Sequence, residues 1–301
     1  MYQKHFDLCD KPFRLIPDPK FLHFSYIHKL AYNMLEYGIQ EQTGIVLITG
    51  EVGSGKTTLV RHLLNEIGDQ SLTIGLINNT SENFGKLIQL VSLAFKLPYE
   101  NKDDISLLQG IQNYLIEQYS KGNRCILIVD EAQNLSEKAL EELRLLTNIN
   151  SGSDLLLQII LVGQPQLFDL LSKPKLTQIA QRITVEYHLN PLSREETKKY
   201  INHRLLIAGA RKPIFEDDAI DFIFNCSGGI PRLINTLCDY ALVYAYATDK
   251  KTVDKTTTME SVKNRRIGGF NKRKSYVDSV DKVRNISTSN NSIENQPSIE
   301  R

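Results

Sequence analysis

One octapeptide constrains the fold of this 301-residue chain more than any other segment: Gly50-Glu51-Val52-Gly53-Ser54-Gly55-Lys56-Thr57. It follows an apolar, β-branched run at residues 45–49, which predicts a strand, and it opens a helical pattern at residues 57–67. The glycines let the backbone curl so that its N–H groups point at phosphate oxygens, and the helix dipole adds attraction. Because strand and helix flank it as the P-loop pattern requires, we interpret the octapeptide as a phosphate site rather than as a chance glycine-rich turn.

Two side chains at the end of the octapeptide carry the chemistry of a nucleoside triphosphate site. Lys56 is placed to reach the β- and γ-phosphates, and the hydroxyl of Thr57 to ligate Mg²⁺. The sequence therefore predicts Mg²⁺ and a nucleoside triphosphate as ligands. The predicted nucleotide-binding residues of this segment are Gly50, Glu51, Val52, Gly53, Ser54, Gly55, Lys56, Thr57 and Thr58.

A pair of carboxylates supports this interpretation independently. Asp130 and Glu131 directly follow the five apolar residues 125–129. Asp130 would hold Mg²⁺ through water, and Glu131 would orient and deprotonate the attacking water. An acidic pair at a strand end is often a solvated turn, but the apolar run and the octapeptide favour the functional interpretation. The pairing of Asp with Glu indicates hydrolysis rather than transfer to a small molecule.

The predicted base is adenine. Asn101-Lys102-Asp103-Asp104 matches the NKxD pattern of guanine recognition, but it precedes the Asp130 strand and lies in a polar loop between helical segments. In proteins that bind GTP, that pattern follows a late strand near the base pocket. We therefore interpret this match as chance.

Short apolar runs alternate with helical periodicity and predict an α/β domain. Runs that are apolar on nearly every residue are typical of strands buried on both faces, as in a parallel sheet covered by helices. The predicted strands of this five-stranded parallel sheet are residues 45–49, 72–77, 126–129, 155–162 and 183–189. The predicted helices between them are residues 57–67, 84–95, 105–119 and 137–148.

After Pro191 the strand signals stop, which predicts a smaller helical subdomain. Its helices are expected at residues 193–208, 217–226, 231–247 and 253–264, and Ser193 with Glu196 forms a capping-box signature. The last part of the chain is polar and rich in Ser and Asn, which predicts a disordered tail. The predicted domains are an N-terminal strap and helix at residues 1–40, a core at 41–191, a lid subdomain at 192–266 and the tail at 267–301.

Composition is that of a globular protein from a reducing compartment. The net charge is +1, with 41% hydrophobic and 24% charged residues, so the chain as a whole requires no polyanionic partner. The four cysteines form no CxxC pair, and neither a secretory signal nor an apolar stretch of bilayer length is found. We therefore expect a cytoplasmic protein without a transmembrane segment.

Three further positions are candidates for nucleotide sensing. Gln164 follows the apolar residues 159–162, where its side chain would sense the γ-phosphate or simply belong to a turn. Arg182 precedes the last predicted strand and is a candidate arginine finger that reaches a neighbouring subunit, or a surface arginine. Arg232 follows a Gly-Gly-Ile-Pro segment, where it would bind nucleotide from the lid helix, although Gly-Gly-x-Pro is also an ordinary helix start.

The order of these elements resembles that of an AAA+ ATPase, with a P-loop core followed by a helical lid. Further segments are similar to the ExeA/GspA-like family of such ATPases, and the similarity runs from Tyr2 to Asn264. These segments are Pro12-Phe13, Pro17-Asp18-Pro19, Phe21-Leu22, Ser25-Tyr26-Ile27-His28, Tyr37-Gly38-Ile39, Asp130-Glu131-Ala132-Gln133-Asn134-Leu135, Val162-Gly163-Gln164-Pro165, Tyr187-His188-Leu189 and Pro231-Arg232-Leu233-Ile234-Asn235.

The resemblance implies a cytoplasmic ATPase module that assists envelope machinery for type II secretion, pilus biogenesis or exopolysaccharide export. It implies ATP and Mg²⁺ as cofactors, a homo-oligomer, and membrane-associated secretion or polysaccharide-export components as partners. It also implies that the helix near Tyr26 and His28 lies beside the adenine. The transmembrane helix and the peptidoglycan-binding domain of the secretion members are expected to be absent.

Two alternatives to this reading of the resemblance stay open. One is a DNA-dependent AAA+ ATPase of the transposition-regulator type. The other is a nucleotide-gated interaction module with negligible turnover, and the intact Glu131 argues against it.

A basic cluster near the end of the chain predicts peripheral contact with an anionic surface, such as that of the inner membrane, although a solvated tail is the simpler alternative. The cluster consists of Lys263, Arg265, Arg266, Lys272, Arg273 and Lys274. Each basic residue near an anionic membrane contributes about 1 kcal/mol, and nucleic acid would offer a similar attraction that falls with salt.

We expect the protein to co-sediment with anionic vesicles at physiological salt, and we expect deletion of the residues after Asn264 to abolish this binding. Tight binding to duplex DNA at the same salt, with ATPase stimulation by DNA and none by vesicles, would contradict this.

Overall fold

The computed structural model describes residues 1–16, 18–67, 71–78, 86–152 and 154–263. The chain divides into two compact units. The α/β unit is Phe24–Pro191, and the helical unit combines Met1–His23 with Leu192–Arg301, of which residues 192–263 are described. The predicted tail at residues 267–301 lies outside the described residues, as does the basic cluster apart from Lys263.

The α/β unit contains one five-stranded parallel sheet, as predicted. The strands in the described residues of this unit are β1 (Ile45–Gly50), β2 (Leu72–Ile77), β3 (Arg124–Val129), β4 (Asn150–Ser151), β5 (Asp154–Leu155), β6 (Leu157–Gly163) and β7 (Ile183–Leu189). The sheet order is β2-β3-β6-β1-β7, with every neighbouring pair parallel. β4 and β5 form a separate antiparallel ribbon, so the strand predicted at residues 155–162 begins later, at Leu157.

Helices cover this sheet, and several begin at a side chain that caps them. They are α2 (Tyr26–Gln40), α3 (Lys56–Ile67), α4 (Leu87–Ala94), α5 (Asp104–Ser120), α6 (Glu137–Leu146), α7 (Gln166–Leu171) and α8 (Thr177–Ala180). Ser136 caps α6 by accepting from the backbone N–H of Ala139 at 3.2 Å. Asp103, part of the guanine-like match, caps α5 by accepting from the N–H of Ser106 at 2.8 Å. Its carboxylate therefore serves the start of a helix.

Alternate side chains of the central strands enter two separate cores, because successive residues of a strand point to opposite faces. In β1, Val46 and Ile48 pack with residues of α2 and α3. Ile45 and Leu47 belong to the other core, which contains residues of α4, α5 and α6. This two-sided burial explains why the strands are apolar at nearly every position. Parallel pairing places the carboxyl ends of β1, β3 and β6 at one edge of the sheet.

The helical unit contains α1 (Tyr2–His5), α9 (Arg194–Ile207), α10 (Asp217–Ser227), α11 (Pro231–Ala247) and α12 (Lys255–Lys263). The predicted capping box starts α9, with both Ser193–Glu196 bonds formed. Gly228 caps the carboxyl end of α10 with a left-handed φ of 59°, and a Cβ atom at Gly229 would lie 2.0 Å from the carbonyl oxygen of Leu192. No helix in the described ranges has the length and hydropathy needed to cross a membrane.

The N-terminal segment predicted as one strap and helix at residues 1–40 is divided between the two units. Residues 1–23 join the helical unit, where the Tyr2 hydroxyl donates to Asp239 at 2.5 Å. Residues 24–40 join the α/β unit, because α2 buries Leu35 and Ile39 against the sheet. The division falls between the 3₁₀ turn at Pro19–Phe21 and the start of α2.

A buried arginine holds the N-terminal strap, residues 1–23, within the helical unit. Arg204 is 7% exposed, and its Nε donates to the carbonyl oxygen of Pro12 at 2.6 Å. A second guanidinium nitrogen donates to the hydroxyl of Tyr200 at 2.8 Å, and that hydroxyl donates to Asn235 at 2.9 Å. The guanidinium also lies over the ring of Phe21, 5.1 Å from its centroid.

We expect Arg204→Met to lower the free energy of unfolding by roughly 2–4 kcal/mol, because two charge-assisted hydrogen bonds are lost and their buried acceptors lose a donor. The exposed Arg211 offers a matched control, and Arg211→Met should change stability by less than about 0.5 kcal/mol. The chain contains no tryptophan, so urea unfolding is followed by far-UV circular dichroism. Equal losses in the two variants would contradict the assigned role of Arg204.

Candidate nucleotide site

The octapeptide connects β1 to α3 by a tight turn that requires glycine. Gly53 and Gly55 have φ angles of 82° and 104°, in the left-handed region that glycine alone enters freely. A Cβ atom at Gly50 would lie 2.8 Å from the carbonyl oxygen of Leu189. The backbone between strand and helix is therefore free of side chains at three of its positions.

The other residues predicted to bind nucleotide line the same turn. Glu51 and Val52 are exposed, whereas Ser54 is buried. Thr58 lies in the first turn of α3, one residue after Thr57. The structure thus places the whole predicted segment at the carboxyl end of β1 and the amino end of α3.

Lys56 lies buried beneath the turn. Its Nζ donates to the carbonyl oxygens of Gly50 at 2.8 Å and Glu51 at 2.9 Å. Burial lowers the pKa of the Lys56 ammonium, while the carboxylates of Glu131, Asp130 and Glu51 oppose that shift. A buried cation with main-chain acceptors on one side and carboxylates nearby is suited to meet an anionic oxygen above the turn.

Thr57 and Asp130 are in direct contact although they are distant in sequence. The Thr57 hydroxyl donates to Asp130 Oδ2 at 2.8 Å. The other carboxylate oxygen, Oδ1, accepts from the N–H of Glu131 at 2.9 Å, and the Asp130 N–H donates to Ile77 at 2.8 Å. The two predicted Mg²⁺ ligands are therefore held together at the ends of β3 and the P-loop.

These residues fit a complex of Mg²⁺ with a triphosphate. Mg²⁺ prefers oxygen ligands and usually combines one or two protein groups with water and phosphate oxygens, which matches Thr57 and Asp130. In the described part of the chain no cluster of three or more His, Cys, Asp or Glu would hold a metal by itself. Ser54 Oγ is buried and has no hydrogen-bond partner within that part, so a donor inside the turn is left for a phosphate oxygen.

Glu131 lies beside this pair and is held by two amide groups. Its backbone is left-handed, with φ 54°, and the next residues form the 3₁₀ turn Ala132–Asn134. Glu131 Oε2 accepts from Gln133 Nε2 at 2.6 Å and from Gln164 Nε2 at 3.1 Å. The structure therefore brings the predicted base and the predicted γ-phosphate sensor together.

Gln133 is the residue of this group to which the sequence assigned no role. The sequence offered only two hints of a role for Gln133. It lies two residues after Glu131, and it belongs to a segment that resembles the ExeA/GspA-like family. The spacing alone does not show that a 3₁₀ turn directs Gln133 back toward the end of β3.

His28 packs against the P-loop from the first turn of α2. Its Nε2 lies 3.1 Å from the carbonyl oxygen of Ser54, so Nε2 carries the proton and donates. Its Nδ1 lies 2.7 Å from the hydroxyl of Ser25, the residue that caps α2. A Cβ atom at Gly55 would lie 3.3 Å from His28 Nε2. His28 is therefore a packed residue that supports the P-loop, and whether adenine lies nearby stays a prediction.

Comparison with known proteins agrees with this geometry. A family model described as an AAA domain matches residues 39–171. Over 248 residues the chain is 44% identical to general secretion pathway protein A of Aeromonas hydrophila. The aligned region covers 82% of this chain and 45% of that protein. The chain belongs to the ExeA/GspA-like family of AAA+ proteins. It spans less than half the length of this relative.

Solved structures of distant AAA+ proteins share the fold. Cdc6p from Pyrobaculum aerophilum has a TM-score of 0.62 and 15% identity, over 84% of this chain and 72% of that chain. The ORC2 protein of Aeropyrum pernix has a TM-score of 0.60 and 17% identity, over 84% and 72% of the two chains. At such identities the likeness concerns the fold alone, and it confirms the predicted fold class.

Arg182, the candidate arginine finger of this AAA+ protein, lies at the amino end of β7, at the edge of the sheet opposite to the P-loop. It immediately precedes β7, whose Ile183 pairs with Ile45 at the start of β1. The P-loop begins five residues further along β1, at about 3.3 Å per residue. Its guanidinium donates to Thr147 Oγ1 and Asn148 Oδ1, at the end of α6. Arg182 therefore has hydrogen-bond partners within its own chain and lies near the opposite end of β1 from the P-loop.

Arg232, the candidate lid arginine of the family, belongs to the helical unit. It is exposed and follows Pro231, the first residue of α11. Its carbonyl oxygen accepts from the hydroxyl of Thr236 at 2.9 Å, which fixes the backbone of the first turn. Its role in nucleotide binding stays a prediction.

We expect Arg182→Ala to bind ATP with wild-type affinity but to hydrolyse it poorly, because an arginine finger contributes roughly 10³–10⁵ in rate. Wild-type specific activity should rise with protein concentration. Mixing Arg182→Ala with Glu131→Gln should restore some activity, since one interface then contains an intact finger and an intact base. Phosphate release measures the three activities, and binding of a fluorescent ATP analogue measures the affinity.

The exposed Lys175 provides the control, and Lys175→Ala should behave as wild type. If Arg182 only joins α6 to the start of β7, Arg182→Ala would lower the melting temperature while mixing restored nothing. That outcome, or activity independent of concentration, would contradict the arginine-finger prediction.

Proposed function

We propose that this AAA+ protein binds Mg·ATP and hydrolyses it to ADP and phosphate. The observation that carries the proposal is the 2.8 Å bond between Thr57 and Asp130, with Lys56 buried beneath the same turn and Glu131 next along the chain. A P-loop threonine, a strand-end aspartate and an adjacent glutamate supply the metal ligands and the base that hydrolysis requires.

The residues have separate tasks in this proposal. The Lys56 ammonium moves from its main-chain acceptors to the phosphate oxygens and neutralises their charge. Thr57 and Asp130 hold Mg²⁺, which when bound offsets negative charge on the β- and γ-phosphates. Glu131 orients a water and accepts its proton, and Gln164 contacts the γ-phosphate. Adenine is the proposed base.

For the biological role, we propose assistance to a membrane-associated secretion system. The similarity to general secretion pathway protein A supports this assignment, and it extends across both units of the chain. A nucleotide-driven conformational change in a homo-oligomer would act on envelope components. These components include pilus or exopolysaccharide export machinery. Contact with the inner membrane would be peripheral, through the basic residues 263–274.

We expect Glu131→Gln to bind a fluorescent ATP analogue as tightly as wild type while phosphate release falls at least 100-fold, because only the proton acceptor is removed. Lys56→Ala should weaken both binding and turnover, because it removes the cation that meets the phosphates. The exposed Glu117→Gln is the control for a change of carboxylate to amide, and it should match wild type.

Three outcomes would overturn this proposal. Equal phosphate release from wild type and Glu131→Gln would rule out Glu131 as the base. Turnover that persists in excess EDTA would rule out a requirement for Mg²⁺. Tight nucleotide binding without measurable turnover in the wild type would favour a nucleotide-gated interaction module.

A further inference from the structure

Gln133 forms the centre of a closed ring of hydrogen bonds at the end of β3 and β6. Its Nε2 donates to Glu131 Oε2 at 2.6 Å. Its Oε1 accepts from the backbone N–H of Gln164 at 2.9 Å. The side-chain amide of Gln164 closes the ring by donating to the same Oε2 atom at 3.1 Å. One amide group therefore contacts both the predicted base and the backbone of the predicted sensor.

The orientation of the Gln133 amide follows from its partners. The backbone N–H of Gln164 can only donate, so the group that faces it must be the carbonyl oxygen of Gln133. The amide nitrogen is then directed at Glu131 and donates to its Oε2 atom. A glutamine in this place satisfies a donor and an acceptor at once, which neither a carboxylate nor an aliphatic side chain does.

The backbone around the ring is shaped to admit this side chain. The left-handed φ of 54° at Glu131 turns the chain directly into the 3₁₀ helix Ala132–Asn134. Ala132 is fully buried, which anchors that turn, while Gln133 is half-buried. A Cβ atom at Gly163 would lie 3.1 Å from Gln133 Oε1, so the last residue of β6 leaves space for the amide.

We propose that Gln133 is a positioning residue for hydrolysis: it fixes the carboxylate of Glu131 and links its position to that of Gln164. Any shift of Gln164 toward a γ-phosphate moves the N–H that holds Gln133 Oε1, and this displaces the donor on Glu131. The proposal rests on the proposed ATPase activity, and it adds a link between the sensing of nucleotide and the placement of the base.

The link predicts an effect on turnover but not on nucleotide affinity. Gln133→Met has a similar length and lacks both hydrogen bonds, so it should lower kcat by roughly 10- to 100-fold, as expected when a supporting residue of a reactive group is lost. KM and the affinity for a fluorescent ATP analogue should stay within about twofold of wild type, because the hydrogen bonds of Gln133 go to Glu131 and Gln164 and not to the P-loop or the predicted metal ligands.

Gln133→Glu separates the two bonds. A glutamate keeps an acceptor for the Gln164 N–H, but it places a second carboxylate beside Glu131 instead of a donor. Its kcat should therefore be at least as low as that of Gln133→Met. A merely structural role at the end of β6 would instead leave Gln133→Glu close to wild type, since the backbone bond survives.

A double-mutant cycle with Gln164→Ala tests the link itself. If the two residues act through one network, their losses in kcat will not multiply. The kcat of the double variant will then be several-fold higher than the value calculated by multiplying the two single losses. Gln166→Met, at an exposed position at the start of α7, is the matched control and should keep wild-type kcat and KM.

The outcomes distinguish this inference from the proposed function. Wild-type turnover that depends on Glu131 but is unchanged in Gln133→Met, or losses that multiply in the cycle, would overturn the role of Gln133 and leave the ATPase assignment intact. Loss of analogue binding in Gln133→Met and Gln133→Glu would also overturn it, because the residue would then support the fold of the site. Absence of wild-type turnover would overturn the proposed function first.

Discussion

Parallel pairing of β1, β3 and β6 is the constraint on which the candidate site depends. The register sets Thr49 of β1 opposite Gly163 of β6, and Val129 of β3 opposite Leu161. The segments that follow these strands therefore emerge at one edge of the sheet, where parallel α/β proteins commonly bind ligands. Residues from three distant parts of the chain meet there because each strand is buried on both faces and cannot slip without exposing apolar side chains.

Two segments at this edge have a left-handed backbone, the P-loop and Glu131. The P-loop places glycines in the left-handed region, where they cost little. Glu131 also has a left-handed backbone, at φ 54°, and a side chain there is disfavoured unless its surroundings hold it. The hydrogen bond from its N–H to Asp130 and the two amide donors on its carboxylate supply that support. The same contacts that stabilise the conformation fix the carboxylate beside the proposed metal site.

The helical unit depends on a different interaction, between its own helices and the N-terminal strap. Prolines at positions 12 and 19 prevent a regular helix there, and the strap is instead held by side chains, above all the buried Arg204. Apolar residues of the strap, including Phe13 and Phe21, fill the core of this unit. Residues 1–23 thus fold with a part of the chain that begins almost 170 residues later.

The sequence by itself determined the sheet, most helix positions and the P-loop with Asp130 and Glu131, because continuous apolar runs, capping residues and glycine-dependent turns are local properties of the chain. Tertiary structure alone decided the rest. Contacts between residues far apart in sequence placed the strap with the helical unit, bonded Arg182 to Thr147 and Asn148, and joined Gln133 to Gln164. No spacing along the chain encodes such contacts, since they arise only when separate strands and helices reach the same edge of the sheet or the same core.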